Sequence, residues 1–252
     1  MQNRKTSMQV SFPRMSRVKS FEIVQNVLSV IVMILFGVLF GLALMPSYFL
    51  FMEIKELTSG KSDLVEAAGF CISLGIGYIV WGIFLLLICG SIGGIFRIRK
   101  EEGRYPLRSF ITIQWAFSLV SHRVAQMFLG LVIPSFLATM YYRMMGAKIG
   151  SGVQLNSVRI NDASMITIGD GVVVGGDATI NGHLVESGEI VLAPVRIGDG
   201  ALIGGGSIVQ PGCKIGKGSV VATRAVLPKW TEVPDGEVWG GIPARLIKRT
   251  DE

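Results

Sequence analysis

Residues 197–226 read IGDGAL, IGGGSI, VQPGCK, IGKGSV and VATRAV when broken every six positions. Each hexad opens on an aliphatic residue (Ile197, Ile203, Val209, Ile215, Val221), and its fifth position is small: Ala201, Ser207, Cys213, Ser219, Ala225. The pattern extends upstream as IGSGVQ from Ile149, LNSVRI from Leu155, IGDGVV from Ile168, VGGDAT from Val174 and INGHLV from Ile180. A short fixed period of this kind belongs to a solenoid and not to a globular core. One hexad makes a short flat strand and a turn, and three make a triangular coil with the aliphatic residue pointing into the prism. The fifth position falls near the corner, where only a small side chain fits, and glycine supplies the turn conformations closed to other residues.

Two interruptions break the phase. One extra residue and an irregular turn around Asn161, Asp162 and Ala163 separate the hexads at Leu155 and Ile168. Between Ile180 and Ile197 a loop around Glu186 to Pro194 is expected to protrude, and such insertions often belong to a binding face.

With these hexads the sequence resembles the hexapeptide-repeat acyltransferase family, whose members fold as a left-handed parallel β-helix, an exception to the usual crossover handedness. Family members carry a histidine before a short loop, followed by hexads that here read Pro194, Val195, Ile197, Gly198 and then Val209, Pro211, Gly212. That place is held by His183, one of two histidines in the chain. The resemblance implies that His183 is a general base, deprotonating a hydroxyl or amine as it attacks the thioester of acetyl-CoA or another acyl-CoA. Imidazole suits this because it titrates near neutral pH. The resemblance also implies a homotrimer with the donor in the groove between subunits. Gly205 and Thr223 match the donor positions, and Lys229 and Lys248 suit the CoA phosphates. Asn161, Asp162, Asn181, Glu186 and Glu189 are candidates to bind the acceptor or orient His183. No metal is expected, because a zinc hydratase on the same scaffold needs three converging histidines and the repeat holds His183 alone. The sequence departs from the family in having Leu202 where many members have tryptophan, and VATRAV where Gly-Ala-Gly-Ser is usual. EEGRYPLRSF, YYRMMGAKIG and the ending KWTEVPDGEVWGGIPA are similar to the C-terminal membrane region of poly-lysine-synthetase-like proteins, over residues 100–245. A second reading therefore stays open: a non-catalytic trimeric membrane scaffold, or a docking module for a carrier protein.

Outside the repeat the composition changes. The 252 residues are 50% hydrophobic and 17% charged, with a mean hydropathy of +0.54, which excludes intrinsic disorder. Ile23–Met52 and Ala67–Phe96 are two runs of 30 residues without an acid or base. About 20 such residues cross a bilayer, so both are expected to be transmembrane helices. The net charge of +6 flanks them: Arg4, Lys5, Arg14, Arg17 and Lys19 come before, and Arg97, Arg99, Lys100, Arg104 and Arg108 after. The loop between them carries Glu53, Glu56, Asp63 and Glu66 against Lys55 and Lys61. The positive-inside bias then places both ends of the hairpin, and the repeat, in the cytosol at the cytoplasmic membrane. No basic face interleaved with aromatics appears, which argues against a nucleic-acid partner. Cys71, Cys89 and Cys213 form neither a disulfide framework nor a CxxC pattern.

The expected organisation is a basic N-terminus (1–21), a membrane α-helical hairpin (22–100), an amphipathic or interfacial helical linker (101–146) and a left-handed β-helix acyltransferase domain with a C-terminal tail (147–252). In the linker, Phe110, Ile113, Phe117, Val120, Val124, Met127, Phe128 and Leu131 form an apolar stripe beside Thr112, Ser118, Ser121, His122 and Gln126. This helix could lie in the interface with Trp115 near the headgroups, or pack on the other helices or a sister subunit. Alternatively, Val124–Tyr142 could itself span. His122 is expected on the polar side with no special role.

Overall fold

A computed structural model of the chain describes residues 15–97 and 102–249. The basic residues up to Arg14, together with Arg99 and Lys100, lie outside the described residues. The chain divides into two units, residues 1–38 and 39–252.

Helix α1 runs Met15–Thr58 and α2 runs Asp63–Ile95. Both are long and apolar enough to cross a membrane. In the second unit they form an antiparallel pair. Phe40 stacks on Trp81 with ring centroids 5.4 Å apart, Phe51 meets Phe70 edge-on, and the Ser47 hydroxyl donates to the Gly77 carbonyl at 2.7 Å. That last bond satisfies a hydroxyl buried between the two helices.

The linker holds two helices and a strand. Gly103–Pro106 is extended, α3 runs Phe110–Val132, and α4 runs Phe136–Met144 after a break at Ile133–Ser135. The Ser109 side chain caps α3 by accepting the Thr112 N–H. Residues 124–142 are therefore not one helix, because Pro134 has no N–H to continue α3. The side that reads as polar is not solvated: Ser121 and His122 are buried, while Phe110, Ile113, Phe117, Met127 and Leu131 are exposed. His122 bridges α3 to α4 and to the repeat. Its Nε2–H donates to the Val158 carbonyl at 3.1 Å and its Nδ1 accepts from the Tyr141 hydroxyl at 3.0 Å, while the Gln126 amide donates to the same carbonyl at 2.9 Å.

From Lys148 the chain winds a three-walled parallel β-helix. Wall one stacks Lys148–Ile149, Ile166–Ile168, Val195–Ile197, Lys214–Ile215 and Glu232–Val233. Wall two stacks Gln154–Leu155, Val173–Val174, Leu202–Ile203, Val220–Val221 and Glu237–Gly241, and wall three stacks Ile160–Asn161, Thr179–Asn181, Ile208–Val209 and Val226–Leu227. Ile197 lies over Ile215 and Ile215 over Val233, steps of eighteen residues or three hexads. Leu155, Ile168, Val174, Ile180, Ile203, Val209, Val221 and Leu227 fill the prism, and Ala178, Ala201, Ser207, Cys213, Ser219 and Ala225 are fully buried at its corners. At its end the last wall-two strand turns through Ile242–Pro243 and pairs antiparallel with Ala244–Arg249.

The second interruption is more ordered than the sequence suggests. His183–Glu186 and Glu189–Leu192 form an antiparallel hairpin closed by Ser187 and Gly188, both at positive φ, the signature of a tight two-residue turn. Gly103–Pro106 adds as a third strand beside Glu189–Leu192. The linker is thus not wholly helical, and the protruding loop is a small sheet.

Candidate active site

Both interruptions of the repeat fall at the corner between walls three and one, and there they meet. The extra residue in the first coil lets the chain turn through Asp162 in the left-handed region (φ 58°), which aspartate tolerates, followed by a single 3-10 turn over Ala163–Met165. One coil further on, Gly182 follows wall three and His183 opens the hairpin. A β-carbon on Gly182 would stand 2.7 Å from the Met165 β-carbon and 3.0 Å from that of Asp162, so only glycine allows the two turns to approach this closely.

The result is an oriented histidine. Its Nδ1 lies 2.5 Å from Asp162 Oδ2. That oxygen also accepts the Gly182 N–H at 3.1 Å, and Asp162 Oδ1 accepts the indole N–H of Trp115 at 2.9 Å. With three donors on one carboxylate, Nδ1 carries the hydrogen and Nε2 is left with its lone pair. The Asp162 side chain is 3% exposed and that of His183 19%, so the anion is enclosed while the imidazole edge reaches solvent. The Trp115 ring stands edge-on to the His183 ring with centroids 4.8 Å apart. Trp115 is therefore at this corner and not at a distant interface. It is held by an apolar cluster of Ile111, Met165, Ile190 and Leu192 with Tyr105.

Of the other residues singled out by sequence, Asn161 and Asn181 belong to this corner: the Asn161 amide donates to Asn181 Oδ1 at 2.8 Å, one coil apart. Glu186 and Glu189 sit at the far end of the hairpin beside Arg104, at 2.5 and 3.7 Å. Lys229 also reaches Glu186, at 2.6 Å, and lies over the Trp230 ring. Lys229 and then Arg104 hold the Glu186 carboxyl below the usual range. Gly205 and Thr223 lie at a different corner, between walls two and three, in consecutive coils, where the Arg224 N–H donates to the Gly205 carbonyl. Lys248 is exposed on the closing strand next to wall two. Within one chain, then, the histidine corner and the Gly205–Thr223 corner are separate. Among the described residues no cluster of three or more His, Cys, Asp or Glu could hold a metal.

The fold and this corner define a hexapeptide-repeat β-helix with a carboxylate-oriented histidine. Residues 194–229 match the family model described as bacterial transferase hexapeptide (six repeats), so the chain carries the repeat of that family. Over 202 residues, 80% of the chain, it is 27% identical to the delta-poly-L-ornithine synthetase of Acinetobacter baumannii, spanning 15% of that protein's length. It is 30% identical over 103 residues, 38% of the chain, to the galactoside O-acetyltransferase of Escherichia coli, spanning half of it. Among solved structures, the hexapeptide-repeat acetyltransferase of Vibrio cholerae complexed with acetyl coenzyme A is similar at 22% identity with a TM-score of 0.41, over 49% of this chain and 84% of that one. The chain spans half or less of the length of these curated relatives.

Proposed function

We propose that the chain is a membrane-anchored acyltransferase that moves an acetyl group from acetyl-CoA to a hydroxyl or amine, with His183 as the general base. The observation that carries this reading is the His183–Asp162 pair, with the carboxylate fixed by Gly182 and Trp115 and the imidazole partly open to solvent. Nε2 takes the proton as the acceptor oxygen or nitrogen attacks the thioester carbonyl. Asp162 stabilises the imidazolium that results, and the protonated Nε2 then returns the proton to the departing CoA sulfur. The similarity to a galactoside O-acetyltransferase supports a hydroxyl acceptor, and that to tetrahydropyridine-dicarboxylate N-acetyltransferases an amine.

The donor lies along the Gly205–Thr223 corner of a neighbouring subunit, with Lys248 near its phosphates. The separation of the two corners within one chain supports a homotrimer in which each groove joins one chain's His183 to the next chain's Gly205. Lys229, bound to Glu186, steadies the hairpin and is available to an anion only if that pair opens. α1 and α2 anchor the trimer in the bilayer with the β-helix in the cytosol, as the basic flanks favour.

The test is CoA release from acetyl-CoA by the full-length protein against a panel of acceptors beginning with ornithine and simple galactosides, alongside calorimetry with acetyl-CoA. Turnover with any acceptor supports the reading. The second reading is a non-catalytic trimeric membrane scaffold or carrier-protein docking module, and the match to a 15% stretch of a much longer synthetase is compatible with it. That reading predicts no acetyl-CoA binding heat and no turnover.

A further inference from the structure

The apolar run Ala67–Phe96 supplies a depth scale along α2, and the contacts of α3 and α4 can be measured against it. Phe117 stacks on Phe96 at the end of that run, with centroids 5.1 Å apart. Eleven residues later Phe128 packs against Tyr78 and Trp81, with centroids at 5.8 and 6.3 Å. Trp81 and Gly82 are the two central residues of the run. A β-carbon on Gly82 would stand 2.1 Å from the Phe128 ring, so the missing side chain is the seat that ring occupies. Phe40 of α1 stacks on Trp81 at the same level. α3 therefore travels from the end of α2 to its middle, about 20 Å at 1.5 Å per residue of α2.

The chain then turns and comes back. After Pro134, α4 returns until Met144 and Met145 rest on Gly90, Gly93 and Gly94; a β-carbon on Gly94 would stand 2.5 Å from the Met144 carbonyl oxygen. From Val124 to Tyr142 there is no Asp, Glu, Lys, Arg or His. The apex presents apolar side chains outward: Met127 is 61% exposed, Leu131 59% and Phe136 78%. Pro134 has no N–H, and the Ser135 carbonyl accepts both the N–H and the hydroxyl of Thr139.

We infer that α3 and α4 form a re-entrant helical hairpin that dips into the hydrocarbon layer from the side of the β-helix and turns back near mid-depth. Its partner is the acyl-chain region of the bilayer. This rests on α1 and α2 spanning the membrane, because the depth scale is theirs. A run of 19 uncharged residues, divided between the end of α3 and α4 by the break at Ile133–Ser135, is too short to cross as a broken pair and too apolar for an aqueous surface.

Single cysteines at Leu131, Phe136 and, as a second helix position, Met127 would be introduced into the full-length protein with Cys71, Cys89 and Cys213 replaced by alanine. After nitroxide labelling in phosphatidylcholine vesicles, collisions with dissolved oxygen and with a water-soluble nickel chelate are compared, using Ile76 on α2 and Lys217 on the β-helix as references. The expected result is that the three apex labels match Ile76, with oxygen collisions high and nickel collisions lost, while Lys217 shows the reverse. Nickel access at the apex with Ile76 still in lipid would overturn the re-entrant hairpin alone. Exclusion of both probes at the apex would overturn it in favour of a second copy covering that face. Nickel access at Ile76 would overturn the spanning helices and the hairpin together.

Discussion

Asp162 concentrates the argument at the scale of single residues. It accepts from His183, Gly182 and Trp115, and each bond has a separate consequence. Asp162→Asn keeps the shape but offers an amide to Nδ1, which favours the wrong tautomer. CoA release should fall by roughly two orders of magnitude or more, with little change in acetyl-CoA affinity. Trp115→Phe keeps the ring beside His183 and removes the indole N–H, a bond to a charged acceptor worth about 1.5–3 kcal/mol. Turnover should fall roughly ten- to a hundredfold as Asp162 loses an anchor, while the 15N shifts of His183 should still show the Nδ1–H form. His183 was legible as a candidate because its place before the second interruption matches a motif. Trp115 was not: it meets Asp162 across 47 positions of sequence, and an aromatic residue on an amphipathic helix has an ordinary membrane explanation. His122 was misread for a related reason, since polarity marks a face but not what covers it.

Among the elements, the coils were readable and the insertion was not. Period six fixes both the inward aliphatic column and the small corner residues, so Ile197 over Ile215 over Val233 follows from the sequence alone. The corners leave no room for growth: Ala201 and Ala225 are fully buried, and replacing either with leucine should cost about 1–3 kcal/mol by overpacking, read as a lower denaturation midpoint. In the insertion the useful signal was the Ser187–Gly188 pair between HLVE and EIVL, which marks a two-residue hairpin turn. The strand Gly103–Pro106 that completes the sheet lies some 80 residues earlier and carries no local sign of its partner. This sheet places Ile190 and Leu192 under Trp115, so the linker is built into the histidine corner and is not merely a tether.

At the scale of the whole molecule, two unlike halves share a boundary in α3. One of its ends holds the carboxylate that orients His183, and the other packs at the middle of α2. On this account the acyl-transfer site stands beside the membrane, and in a trimer each groove takes its base from one chain and its donor corner from the next. Mixed trimers then carry a specific expectation. Co-expressing inactive His183→Ala chains with inactive Gly205→Trp chains should restore part of the activity, because some grooves then join two intact corners. The central claim is that His183 is the base for acyl transfer. It is tested most directly by the steady-state rate of CoA release from acetyl-CoA, with an acceptor the wild-type protein uses, after His183→Ala. The account predicts a loss of roughly two to four orders of magnitude with acetyl-CoA binding retained. Turnover within a few-fold of the wild-type rate would contradict it.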